Sequence, residues 1–121
     1  MSEAKQAARP EQVTVGLIQV AAFKNMASLM LRAAHYKVPV FIIGAKPQVL
    51  AQTRDKLLAG GTYLVGAVDG YFTDETALLA QIKQTEPQII SVAMGSPRQE
   101  LLIQRLRQAH PNCFYMGVGG T

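Results

Sequence analysis

Short apolar runs that end at a turn and lead into a helix-like run recur along the chain, and this alternation constrains the fold more than any other feature. The four clearest runs are 40-VFII-43, 63-YLVGAV-68, 88-QIISVA-93 and 113-CFYMGV-118. Apolar runs of this length are typical of strands that are buried on both faces of a parallel sheet. The alternation therefore predicts an α/β fold, a Rossmann-like parallel sheet of about four strands with alternating helices.

Apolar side chains at helical spacing, bordered by turn residues, predict the helices. These cover 23–36, 47–59, about 74–85 and 97–109, and a further apolar run at 13–20 is a candidate strand. Pro47 suits the first turn of a helix, and Thr73 is the predicted N-cap of the third helix. Residues 1–12 are polar and are predicted to form a flexible N-terminal arm, which leaves residues 13–121 as a single α/β domain.

Composition and residue spacing exclude several classes of protein. The net charge is +4, but no basic run with interleaved aromatic residues suggests a nucleic-acid partner. No apolar run reaches the roughly 18 residues of a membrane span. The single Cys113 lies in an apolar run and is predicted to be a buried small hydrophobe rather than a reactive thiol. His35 and His110 lack the spacing of metal ligands, so no metal and no cofactor are predicted.

Four glycine-containing segments follow the predicted strands. They are 44-GAKP-47, 69-DGYFT-73, 94-MGSPRQE-100 and 117-GVGGT-121. A parallel sheet brings these segments to one edge, where ligands bind, and three of them lead into helix N-termini, which attract anions such as diphosphate. Tight turns also require glycine in the absence of a ligand. The pattern favours an anionic, nucleotide-type ligand over turn geometry alone by a modest margin.

The segment 94-MGSPRQE-100 has the chemistry of a helix start. Ser96 is the predicted N-cap, Pro97 the first helical residue, and Gln99 completes a capping box. These roles leave Arg98 unexplained, because the helix dipole disfavours a cation at a helix N-terminus. Arg98 is therefore predicted to pair with an anionic ligand or to form a salt bridge.

The predicted salt-bridge partners of Arg98 are Glu100 and Asp69. Asp69 has two further interpretations of equal weight. It could accept a hydrogen bond from a substrate hydroxyl or act as a base, or it could be a turn residue before Gly70.

Four motifs, in this order and spacing, resemble the bacterial WecG/TagA/CpsF glycosyltransferase family. They are 39-PVFIIGAKPQVLAQT-53, 66-GAVDGYFT-73, 89-IISVAMGSPRQE-100 and 115-YMGVGGT-121, so the resemblance covers residues 39–121. The family's Pro-Lys-Gln-Glu element matches residues 97–100, with Arg98 in place of Lys. The substrate-binding residues that follow from the motifs are Asp69, Gly70, Gly95, Ser96, Arg98 and Gln99.

The resemblance implies an inverting, metal-independent transfer of N-acetylmannosaminuronate. The donor would be its UDP-sugar, and the acceptor would be N-acetylglucosamine on undecaprenyl diphosphate. Both partners imply a cytoplasmic protein that contacts the inner face of the cytoplasmic membrane.

The chain also departs from the family pattern. An Arg-x-x-Gly-x-Asp element of the family falls on Gln19, Ala22 and Lys24, and the family's longer segments before and after the matched region are not in this sequence. We therefore expect a domain that is incomplete relative to the family, an unassigned catalytic base and weak turnover. An exposed sheet edge would favour self-association into a homo-oligomer. The alternative is a non-catalytic α/β module that binds a nucleotide or a partner subunit.

Overall fold

The computed structural model describes residues 22–118, in which four parallel strands alternate with helices. The helices are α1 (Ala22–His35), α2 (Pro47–Ala59), α3 (Glu75–Thr85) and α4 (Arg98–Ala109). The strands are β1 (Pro39–Gly44), β2 (Tyr63–Val68), β3 (Ile89–Ala93) and β4 (Phe114–Gly117). The predicted Rossmann-like α/β fold is confirmed. The predicted arm at 1–12, the candidate strand at 13–20 and residues 119–121 lie outside the described residues.

Helices cover both faces of the sheet, which explains why its strands are mostly apolar. Successive side chains of β1 point to opposite faces. One face packs against α1 and α2, through Val40, Ile42, Met30, Ala33, Leu50 and Leu57. The other packs against α3 and α4, through Phe41, Ile43, Leu78, Ile82, Leu102 and Leu106.

The strand order is β2-β1-β3-β4, so the direction of winding changes between β1 and β3. From β1 the chain continues through α2 to β2 on one side, and from β3 it continues through α4 to β4 on the other. Because α2 and α4 cover opposite faces, the loops that leave β1 and β3 diverge. A crevice opens at such a point at the carboxyl ends of the strands.

Two glycines allow the close approaches on which this sheet depends. Gly44 ends β1 with a φ of +120°, and a Cβ there would lie 2.2 Å from the carbonyl oxygen of Ala93 at the end of β3. Gly66 lies opposite Phe41 in the β1–β2 pair, and a Cβ there would lie 2.3 Å from Cε2 of the Phe41 ring. The ring therefore fills the space that a side chain at position 66 would need.

The start of α3 corrects one prediction. Asp74, and not Thr73, is the N-cap, and its carboxylate accepts a hydrogen bond from the Ala77 N–H at 3.0 Å. Asp74 has the extended backbone of an N-cap residue, with φ −119° and ψ 94°. The helix consequently begins at Glu75, whose carboxylate is also favoured in a first turn.

Candidate functional site

A cleft of about 490 Å³ lies at the carboxyl edge of the sheet, where the winding reverses. It is lined by residues from the loops that follow β1, β2 and β3, namely Ala45, Lys46, Gly70, Tyr71, Ala93, Met94, Gly95 and Arg98. Three of the four glycine-containing segments are therefore brought together in one place. Of the fourth, residues 117 and 118 are described, and neither lines the cleft.

Three hydrogen bonds join the loops around the cleft. The Ala45 N–H donates to the carbonyl oxygen of Ala93 at 3.0 Å, and the Gly70 N–H donates to the carbonyl oxygen of Ala45 at 2.9 Å. The guanidinium of Arg98 then donates through Nη2 to the carbonyl oxygen of Gly70 at 2.8 Å. These contacts hold the ends of β1, β2 and β3 and the first residue of α4 in one arrangement.

The charge around the cleft is positive. Lys46 and Arg98 are the charged residues in its lining. The helices α2 and α4 begin there with Lys46 and Pro97 as N-caps, and neither makes a side-chain capping hydrogen bond. Uncapped N–H groups and the positive end of each helix dipole add to the two cations. The cleft is therefore suited to an anionic ligand.

Arg98 does not form either of the predicted salt bridges. The Glu100 carboxylate accepts a hydrogen bond from the Ser96 hydroxyl at 2.8 Å, and the Asp69 carboxylate accepts one from the Tyr71 N–H at 2.8 Å. Arg98 instead contacts the Gly70 carbonyl, 28 residues earlier in the sequence. A guanidinium has five N–H groups, so this contact leaves capacity for a ligand. The anion partner of Arg98 stays a prediction.

The predicted capping box at the start of α4 is wrong. The helix begins at Arg98 with Pro97 as its N-cap, so Ser96 lies one residue too early to cap it. Gln99 is only 5% exposed, and its side-chain oxygen accepts a hydrogen bond from the Met94 N–H at 3.2 Å instead of bonding back to Ser96. The residue types of a capping box are present, but the backbone places them elsewhere.

The predicted substrate-binding residues fall into two groups. Gly70, Gly95 and Arg98 line the cleft, whereas Asp69, Ser96 and Gln99 lie beside it and are not part of its lining. Contact with a substrate stays a prediction for all six.

Two further side chains at the cleft were not among the predicted binding residues. Lys46 lines it, and so does Tyr71, which is 63% exposed. The sequence signal for both was their position in the segments that follow β1 and β2.

Away from the cleft, Cys113 and Tyr115 support the other end of α4. The Tyr115 hydroxyl shares its one proton between the carbonyl oxygens of Leu106 and His110, and burial raises its pKa. Cys113 is half-buried against the same apolar cluster, and burial raises the pKa of its thiol. A thiol with a raised pKa is a poor nucleophile at neutral pH, but the prediction that Cys113 is buried is met only in part, because its side chain is half-buried.

Residues 22–118 contain neither a cluster of metal ligands nor a membrane-spanning helix. No group of three or more His, Cys, Asp or Glu side chains there is placed to bind a metal ion. In the same part of the chain, every helix is too short or too polar to cross a membrane.

The fold and the cleft together define a doubly wound α/β protein whose ligand cleft lies where the winding reverses. A family model for the glycosyl transferase WecG/TagA/CpsF family matches residues 10–121. The chain belongs to the WecG/TagA/CpsF glycosyltransferase family. The match extends beyond residues 39–121, to which the motif resemblance was confined, and includes Gln19, Ala22 and Lys24, where the sequence departs from the family pattern.

Proposed function

We propose that the cleft binds the diphosphate of UDP-N-acetylmannosaminuronate, and that the protein transfers this sugar to N-acetylglucosamine on undecaprenyl diphosphate. This is the activity of the UDP-N-acetyl-D-mannosaminuronic acid transferase of enterobacterial common antigen synthesis, which the four motifs resemble. Family membership supports sugar transfer in general. The identities of the sugar, the nucleotide and the acceptor depend on the motif resemblance.

The observation that carries the proposal is that two cationic residues, Lys46 and Arg98, line the same cleft. They come from the loops after β1 and β3, which diverge at the reversal of winding. Two cations and two uncapped helix N-termini around one cleft match the charge of a nucleotide diphosphate. Arg98 can also form geometrically specific contacts with phosphate oxygens, which a lysine cannot.

A transfer assay tests the complete proposal. The 121-residue chain would be incubated with UDP-N-acetylmannosaminuronate and the lipid-linked acceptor, and the lipid product would be separated by chromatography. We expect slow formation of the disaccharide lipid, because no carboxylate or imidazole among residues 22–118 lines the cleft to deprotonate the acceptor hydroxyl. Transfer from a different nucleotide sugar only would reject the proposed donor.

The same feature of the lining favours a second candidate, a non-catalytic module that binds the nucleotide. Asp69, which directly precedes Gly70, is the base that the sequence suggests. Its carboxylate accepts a hydrogen bond from the Tyr71 N–H, and the residue does not line the cleft. The module predicts saturable UDP binding with no transfer product at any enzyme concentration. Any product that scales with the amount of chain would reject it.

The lipid-linked acceptor adds a requirement to the first candidate. An enzyme that uses undecaprenyl diphosphate must contact the membrane surface that holds its substrate, and the chain's net charge of +4 would assist binding to anionic lipids. We expect the chain to float with vesicles that contain anionic phospholipid and to be released by high salt. Equal flotation with neutral vesicles would argue against this electrostatic contact.

A further inference from the structure

Gln99 differs from its neighbours in the first turn of α4. Arg98 and Glu100 are exposed, whereas Gln99 is 5% exposed and does not line the cleft. A buried amide is normally held by hydrogen bonds within the protein. The hydrogen bonds of Gln99 therefore indicate its role in the fold.

The amide oxygen of Gln99 and its backbone N–H hold the wall of the cleft. Its Oε1 accepts the Met94 N–H at 3.2 Å, and its own backbone N–H donates to the carbonyl oxygen of Gly95 at 2.8 Å. Met94 and Gly95 both line the cleft. Gly95 has a φ of +77°, and a Cβ at this position would meet no atom within 4 Å. Glycine therefore suits this turn because of its backbone conformation and not because of limited space.

The amide nitrogen of Gln99 faces β4. A Cβ built on Gly117 would lie 2.8 Å from Nε2 of Gln99, which is closer than real contacts allow. The amide therefore fits between the residue that follows β3 and the last residue of β4. A side chain at position 117 would push it away from Met94.

We propose that Gln99 is a positioning residue that sets the Met94–Gly95 wall of the cleft from behind, with Gly117 providing the space for its amide. This role differs from the direct contact with substrate that the motif resemblance implies for Gln99. The consequence for donor binding rests on the proposed function, but the effect on Met94 does not. The two can therefore be measured separately.

The test uses the ¹⁵N-labelled 121-residue chain with and without UDP. In Gln99→Met, a side chain of similar size lacks the acceptor, so we expect the Met94 amide resonance to move and its hydrogen exchange to quicken about fivefold in the ligand-free protein. UDP affinity should fall by a similar factor. Gln104→Met makes the same change at an exposed position of α4 and should alter neither quantity.

Gly117→Ala provides a second variant that leaves Gln99 in place. We expect it to displace the Met94 resonance in the wild-type background and to cause no further displacement when combined with Gln99→Ala, because the amide that it would push is then absent. An additive effect of the two changes would contradict the proposed contact.

The outcomes separate the positioning role from the proposed function. Loss of UDP binding in Gln99→Met with an unchanged Met94 amide would overturn the positioning role and favour direct contact with the ligand. A changed Met94 amide in Gln99→Met, together with no UDP binding by the wild-type chain, would support the positioning role and reject the proposed donor.

Discussion

Arg98 holds together the loops around the cleft and also provides one of its two cations. Its guanidinium contacts the Gly70 carbonyl at 2.8 Å while the residue lines the cleft. A lysine at this position would keep the charge but lose the planar group that can serve two partners at once. Charge and geometry at position 98 can therefore be separated by substitution.

Arg98→Ala should weaken UDP binding by about tenfold or more, since a hydrogen bond to a charged group is worth about 1.5–3 kcal/mol. Arg98→Lys should recover part of this loss. Calorimetric titration measures both. Arg54→Ala removes the same charge from an exposed position of α2 outside the cleft lining and should leave the affinity within about twofold. Equal losses in Arg98→Ala and Arg54→Ala would show that only net charge matters.

Gly66 shows how one residue limits the packing of two strands. Gly66→Ala should lower the free energy of unfolding by about 1–3 kcal/mol, because the new Cβ must displace the Phe41 ring, which is fully buried. Urea denaturation monitored by circular dichroism measures the change. Gly60→Ala at the end of α2 is the matched control, since a Cβ there would be no closer than 3.5 Å to any atom.

The sequence predicted the wrong N-cap residue for two helices, α3 and α4. Asp74→Ala should destabilise the domain by about 1 kcal/mol, because it removes the acceptor for the Ala77 N–H at the start of α3. Thr73→Ala should change stability by less than about 0.5 kcal/mol. Denaturant titration of the two variants compares these costs. A larger loss for Thr73→Ala would contradict the assigned cap.

The strands and helices could be predicted because their signal is local. Each buried strand is a short apolar run, and the predicted helix 47–59 coincides with α2 because Pro47 and Gly60 mark its ends. The predicted strand 63–68 likewise coincides with β2. The order β2-β1-β3-β4 has no such local signal, since it depends on which strands become neighbours in the folded sheet.

The cleft was predictable as an edge but not as a set of contacts. Parallel strands with glycine-containing loops indicated where a ligand would bind, and Gly70, Gly95 and Arg98 do line the cleft. The contact between Arg98 and Gly70 joins residues that are 28 positions apart in the sequence, and no local pattern predicts it. The capping-box prediction failed for a related reason, because burial of Gln99 beside Met94 outweighed its local preference.

One buried and one half-buried acid, Tyr115 and Cys113, link the stability of the whole domain to alkaline pH. Burial raises the pKa of Cys113 above its ordinary value of 9.0 and that of Tyr115 above 10.0. The folded state therefore holds these protons more tightly than the unfolded state, and their contribution to stability is fully present below about pH 9. We expect the free energy of unfolding to decline as the pH rises through 9 and 10.

Urea denaturation at several pH values between 7 and 10.5 measures this decline. Cys113→Ala should reduce the part that begins near pH 9, and Tyr115→Phe the part that begins near pH 10. Tyr115→Phe also removes the hydrogen bonds to Leu106 and His110, so its stability at pH 7 provides the reference for its own pH profile. If the free energy of unfolding of the unsubstituted chain did not change between pH 7 and 10.5, the raised pKa values of both groups would be contradicted.

At the scale of the molecule, the proposed function requires that the cleft at the reversal of winding binds the donor diphosphate. The most direct measurement is a UDP titration of the ¹⁵N-labelled chain followed by NMR. We expect saturable shifts at the amides of Ala45, Lys46, Gly70, Gly95 and Arg98, and a lower UDP affinity in Lys46→Ala. Saturable shifts that map to another surface, or no saturable shift up to millimolar UDP, would contradict the proposed function.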